Sequence, residues 1–232
     1  FLAVLTSLLK EPRWHALQTE YGRPIAAYRE LFNVPSFYLV TLAGAAMTFS
    51  LGGFAVWMPS FFHREWGLSV GKAGTIFGAV TVVSGILGSL LGGWLSDWVL
   101  KFNSKSYFLV SGTGLLIGMP FAIYAVMAPT FPYAIGSLFI AEFFLFLNMG
   151  PLNAVIVSVT ELKSRSMAFA ANMFIIHALG DAISPAIIGS VSDRLGLKAA
   201  LTGSCLALGL SGLFCLWGMR HYDADAAKIS HD

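Results

Sequence analysis

Charge is what this sequence has least of. Asp, Glu, Lys and Arg make up 11% of its 232 residues, where an ordinary soluble domain carries about 25%. The formal net charge is +2 and the basic residues form no stripe, so no nucleic-acid partner is expected. Cysteine is nearly missing. Cys205 and Cys215 share one apolar run, and ten residues of helix separate them by about 15 Å. They cannot bridge each other and read as small apolar helix residues. No H-E-x-x-H or G-x-S-x-G pattern occurs, so the sequence offers neither a zinc-protease nor a serine-hydrolase site; no enzyme, no cofactor and no metal are expected. No Asn-x-Ser/Thr site occurs either, which accords with a bacterial source. Phe1 to Leu9 is apolar but only half the length of a spanning helix. It has no basic segment before it and no A-x-A after it, against a signal peptide. It reads as the end of a preceding membrane helix, and the chain as the C-terminal part of a longer protein.

What is abundant is apolar: 56% of the residues are hydrophobic, arranged in long runs. Residues 1–35 hold the end of one membrane helix and a polar linker, in which Pro24 to Phe32 reads as a short amphipathic helix opened by proline, lying on the membrane or serving as a plain linker. Residues 36–219 hold six spans. Ser36 to Phe62 is the first, uncharged throughout, with Trp57, Phe61 and Phe62 as interfacial aromatics, Pro59 near its end and His63 to Trp66 as a loop. Ala73 to Ser96 is the second. Two four-residue stripes of small side chains run along it, Ser84-Gly88-Gly92 and Gly85-Ser89-Gly93, a spacing that lets helix backbones approach closely. The uncharged run from Ser106 to Ala141 is too long for one helix; Pro129 and Pro132 divide it into a third span at 106–127 and a fourth at 133–159. The fifth covers 166–190 and the sixth 199–219, and a polar tail, 220–232, follows. The abundant phenylalanines are expected mainly against lipid.

Orientation follows from the loops. If the segment before the first span is cytoplasmic, that side carries Lys10, Arg13, Arg23, Arg29, Lys101, Lys105, Lys163, Arg165, Arg220 and Lys228, against Arg64, Lys72, Arg194 and Lys198 outside. This satisfies the positive-inside rule and puts both visible ends in the cytoplasm of a bacterial inner membrane.

The fifth span carries His177 and Asp181 near its middle. An acid at bilayer depth costs roughly 2.5–3.5 kcal/mol on insertion scales, and such groups face a protein interior or a wet cavity. Four residues apart, the two share a helix face, which Met173 and Ser184 extend. The pair can bind a polar headgroup, relay protons, or simply hydrogen-bond across helices near Pro185, which bends the span or loosens it locally. Glu142 in the fourth span is a further candidate. Asn148 lies six residues on and off its face, while Asn153 and Asn172 read as packing residues.

An internal echo adds organisation. Span two ends Gly93-Trp94-Leu95-Ser96-Asp97 and span five ends Gly189-Ser190-Val191-Ser192-Asp193. With alternating spans these ends fall on opposite membrane faces, the pattern of an inverted three-plus-three repeat.

Gly93-x-Leu95-Ser96-Asp97 resembles the G-x-L-a-D-r-x-G-r-k loop of the major facilitator superfamily. Trp98 stands in place of the first arginine, and Lys101 and Lys105 keep the basic end only loosely. Ala141-Glu142 through Asn148, His177-Ala178-Leu179-Gly180-Asp181 with Ser184-Pro185, and Ile188-Gly189 with Ser192-Asp193 resemble the spinster branch. The resemblance implies the all-α, six-helix C-terminal half of a twelve-helix alternating-access transporter, moving a small amphipathic or lipid substrate such as a lysolipid or sphingolipid, coupled to protons. A monomer surrounded by membrane lipid is expected. Asp97, with Lys101 beside it, would form part of a gate. A multidrug or organic-anion carrier of the same fold and a non-transporting membrane receptor are the alternatives.

Overall fold

The structure, a computed structural model, describes residues 24–229; the apolar segment Phe1 to Leu9, most of the polar linker and the last three residues of the tail lie outside them. Among the described residues there is no strand, and six helices are long and apolar enough to cross a membrane: Pro35–Trp66, Val70–Leu100, Ser106–Met127, Phe131–Ser158, Leu162–Leu195 and Leu197–Gly218. These are spans one to six.

The spans run a little longer than the charge pattern suggests. His63, Arg64, Glu65 and Trp66 are the last turn of span one, not a loop. The helix stops at Gly67, whose left-handed backbone (φ 65°) lets its N–H reach back to His63 O, an end that favours glycine. A second such glycine, Gly196 (φ 85°), makes the whole corner between spans five and six. With connections this short, successive spans are antiparallel.

The spans pair in a way that repeats. Span one packs on spans five and six, span four packs on spans two and three, and spans three and six pack on each other. Exchanging one with four, two with five and three with six maps these contacts onto themselves, as an inverted three-plus-three repeat requires. Burial follows the same symmetry. In the apolar stretches of spans two and five only 22% and 17% of residues are buried, against 50–61% in the other four. The second helix of each triplet therefore stands on the open side of the bundle.

Small residues set the closest approaches. A Cβ at Gly92 would meet Leu147 O at 1.8 Å and one at Gly88 would meet Phe143 O at 2.5 Å, so the Ser84-Gly88-Gly92 stripe carries span two against span four. The neighbouring stripe packs more loosely: a Cβ at Gly85 would meet the Phe146 ring at an ordinary 3.6 Å, and nothing lies within 4 Å of one at Gly93. Between spans one and six the joints are hydroxyls, Ser50 Oγ donating to Ser204 O (2.7 Å) and Ser211 Oγ to Ala43 O (2.6 Å).

Several aromatics expected at the membrane boundary are inside. Phe61 and Phe62 are fully buried and stack edge-on with Trp66 and, through Phe62, Phe131, while Trp57 Nε1 donates to Pro185 O at 3.0 Å. Phe37, Phe54, Phe77 and Phe108 are buried too, while the phenylalanines of span four are half-buried. Edge-on ring pairs contribute beyond their area, and span one, the most buried helix, is where they gather.

Pro24–Phe32 is a helix, as its proline start suggests, with Leu31 buried and Tyr28 and Phe32 partly exposed. The polar tail is more ordered than expected. Tyr222–Ile229 is helical, and Asp225, almost fully buried, accepts from Ser36 N at 3.0 Å. It thus caps span one, whose own N-cap residue, Val34, has no side-chain bond to give. Asp223 meets Lys105 at 3.3 Å and Ser104 at 2.7 Å, fastening the tail to the loop after span two.

Candidate functional site

Span five is not one helix. Arg165–Ile176 is regular; then the ladder widens, and Ala182 N–H reaches back five residues to His177 O at 3.0 Å. A fresh helical segment, Ser184–Leu195, begins with Pro185 in its first turn. The bend or loosening expected at Pro185 lies just upstream of it, in the wide turn; the proline itself starts the second segment, where its missing N–H costs nothing. Wide turns of this kind are frequent at functional sites, and irregular backbone at membrane depth persists only where protein buries it or a cavity wets it.

His177 and Asp181 occupy this turn. The ring nitrogen Nδ1 lies 2.9 and 3.0 Å from the two carboxylate oxygens. The side chains are 55% and 41% exposed, so the pair is on the open face, among the exposed apolar side chains of Met173, Phe174 and Leu179. Met173 shares that face as expected. Ser184 does not: it is fully buried against span one, 2.9 Å from where a Cβ at Gly52 would stand. The extra residue of the wide turn takes the second segment out of the register that simple four-residue spacing assumes.

Glu142 is in a different environment. It is 0% exposed, and its carboxylate bridges to span two: Thr81 Oγ1 donates to Oε1 at 3.0 Å and Ser84 Oγ lies 3.2 Å from Oε2. Asn148 is buried at a break the sequence reading did not foresee, between Phe131–Phe146 and Met149–Ser158, its amide donating to Leu145 O. Neither reaches the face that carries the histidine. Asn153 is exposed rather than packed, and donates to Met149 O at 2.7 Å in its own helix.

Asp97 is exposed at the end of span two; its partner is the phenol of Tyr107, 3.3 Å away in the first turn of span three. Lys101 ends the same helix one turn on. The structure therefore brings His177, Asp181 and Met173 together, sets Asp97 and Lys101 at one membrane boundary, and seals Glu142, Asn148 and Ser184 inside. Two features went unread in the sequence. One is the pair of hydroxyls at Thr81 and Ser84 opposite Glu142. The other is Gly44-Thr48-Gly52, small residues at the same four-residue spacing noted in span two, on which the wide turn sits.

The family model of the Major Facilitator Superfamily matches residues 1–185. The chain belongs to the major facilitator superfamily. Within it the chain is spinster-like. It is 30% identical over 212 residues to protein spinster homolog 1 of Xenopus tropicalis, covering 83% of this chain and 40% of that protein. Protein spinster homolog 1 of Rattus norvegicus is 32% identical over 222 residues, 84% of this chain and 41% of that one. The sphingosine-1-phosphate transporter SPNS2 of Xenopus tropicalis is 26% identical over 218 residues, 88% of this chain and 42% of that one. Among solved structures, a bacterial homolog to the human lysosomal transporter spinster, inward-facing and unoccupied, superposes with a TM-score of 0.76 at 20% identity, covering 94% of this chain and 54% of that one. The chain thus spans about two fifths of the length of these relatives and just over half of that solved chain. Its fold is that of a six-helix half of this superfamily, and it is a multi-pass membrane protein.

Proposed function

We propose that this bundle is the C-terminal half of a proton-coupled secondary transporter that moves an amphipathic, lipid-like molecule of the lysolipid or sphingolipid type by alternating access. The membrane is the bacterial plasma membrane, with the described ends cytoplasmic and the transporter monomeric. The observation that carries the reading is the His177–Asp181 pair. It is polar, titratable and half-exposed, set at a broken turn in the middle of an otherwise apolar, outward-standing helix. Discontinuous helices of this kind form midplane binding sites in transporters. With Nδ1–H of His177 donating to Asp181, a doubly protonated ring presents Nε2–H as a donor to a phosphate or another headgroup oxygen. Met173, Phe174 and Leu179 would lie along the acyl chain. SPNS2 carries sphingosine 1-phosphate by name, and its likeness to this chain supports a substrate with a charged head and one long tail. Asp97 and Lys101 are assigned to the gate, with Tyr107 holding Asp97 in this state.

Flux into proteoliposomes tests the reading. The purified whole protein should move sphingosine 1-phosphate or lysophosphatidylcholine faster than protein-free vesicles, and a pH gradient should change the rate. His177→Ala combined with Asp181→Asn should reduce it at least about tenfold. No flux of either lipid above background would reject the substrate class. Flux untouched by the double substitution would reject the site.

A further inference from the structure

We infer that Thr48 of span one is a positioning residue for the His177–Asp181 pair, holding the wide turn of span five through its hydroxyl. The inference rests on the reading of that pair as the polar contact of the pathway. A threonine in a helix ordinarily gives its proton to a carbonyl three or four residues back. Here Gly44 O and Ala45 O lie at 3.0 and 3.1 Å, but the shortest approach, 2.7 Å, crosses the interface to Ile176 O, the last carbonyl before the turn. Thr48 is buried, so no solvent competes for that proton.

The turn is shaped around this side chain. A Cβ at Gly180 would stand 1.9 Å from Thr48 Oγ1 and 2.8 Å from its Cβ, so only a residue without a side chain can sit there. One helical turn along span one, a Cβ at Gly52 would stand 2.6 Å from Cα and 2.5 Å from Cβ of Asp181. The acid's backbone is therefore pressed into the groove of span one while its carboxylate turns out to His177. Among the described residues, Thr48 makes the one hydrogen bond from span one to the turn itself. Without it, apolar contact and the Trp57 bond to Pro185 O, beyond the turn, are left to oppose its reversion to a regular helix. Removing the extra residue would rotate the segment before the turn by about 100° against the segment after it. His177 and Asp181, four apart, would still share a face, but with Ser184 and Ile188 kept on Gly52 and Gly53 of span one that face would turn away from the open side on which the pair now stands.

Thr48→Val keeps the shape and removes the hydroxyl; Thr48→Ser keeps the hydroxyl. In the whole protein in proteoliposomes, with sphingosine 1-phosphate and lysophosphatidylcholine as probes, Thr48→Val should lower flux about tenfold and Thr48→Ser should stay within about twofold of the unsubstituted protein. Because Thr48 acts through the pair, Thr48→Val added to Asp181→Asn should cost no more than about twofold beyond Asp181→Asn alone. Amide hydrogen exchange over residues 177–183 needs no substrate, and should be faster in Thr48→Val and unchanged in Thr48→Ser. Full flux in Thr48→Val, losses that multiply with Asp181→Asn, or unchanged exchange would each overturn the inference. Full flux in Asp181→Asn itself would instead remove the pathway reading on which it rests, so the two failures are distinguishable.

Discussion

The span-two/span-four joint and the span-one/span-five joint are the same joint twice, related by the inverted repeat, and they handle polarity in opposite ways. In the first, an acid on the inner helix, Glu142, is met by Thr81 and Ser84 on the outer one, and the outer helix runs unbroken from Val70 to Leu100. In the second, the hydroxyl is on the inner helix, Thr48, and the outer helix breaks and carries its acid on the open face. The offset that aligns Ser96-Asp97 with Ser192-Asp193 aligns Ser84 with Gly180. Where one repeat places a hydroxyl at the interface, the other places a hole that a threonine fills from the opposite side. A carboxylate with hydrogen-bond partners and no exposure locks two helices. A carboxylate at a broken, half-exposed turn is left available to a ligand. One packing used twice thus yields a sealed acid on one side and a half-exposed acid on the other.

The first way to break this contrast is to jam the rigid joint. Gly92→Ala drives a methyl into Leu147 and should destabilise by about 1–3 kcal/mol or more, read as a fall of several degrees in the detergent melting temperature. Gly93→Ala, one residue away with open space beside it, should be within about 0.5 kcal/mol of neutral. Next, Glu142→Ala removes the acceptor from Thr81 and Ser84 inside the bundle, and should cost about 2 kcal/mol of stability. Glu142→Gln keeps an acceptor and should recover most of it. Equal melting temperatures for Ala and Gln would mean that the hydroxyl contacts do not stabilise the joint. On the other side, Trp57→Phe deletes the indole bond to Pro185 O and should cost about 1 kcal/mol, checked by the same melting curve. The smallest stability change is expected from Asp181→Asn, within about 0.5 kcal/mol, because the side chain is half-exposed and its loss leaves no cavity.

The six spans were legible because charge is scarce and, Glu142 and Asp181 apart, gathers at their ends, and the Ser84-Gly88-Gly92 stripe because spacing alone fixes which side faces a neighbour. The Gly-x-x-Ser-Asp echo gave the repeat, which the packing pattern bears out. The break at Gly180 was hidden because it depends on a partner: nothing local to His177-Ala178-Leu179-Gly180-Asp181 forbids a helix, and the wide turn exists where Thr48 and Gly52 receive it. The same is true of Ser184, whose burial follows from one inserted residue that four-residue counting cannot see. Phe61 and Phe62 were misplaced because an aromatic near a helix end looks alike whether it meets headgroups or Phe131. Asp225 was unreadable as a cap because its target, Ser36, lies at the other end of the chain.

The contrast between the two acids is tested most directly by lipid flux per folded protein in Asp181→Asn and Glu142→Gln, reconstituted side by side with sphingosine 1-phosphate or lysophosphatidylcholine. The account predicts at least about a tenfold loss for Asp181→Asn at an unchanged melting temperature, and a rate within about threefold of the unsubstituted protein for Glu142→Gln. Full flux in Asp181→Asn, with the loss falling on Glu142→Gln instead, would contradict it.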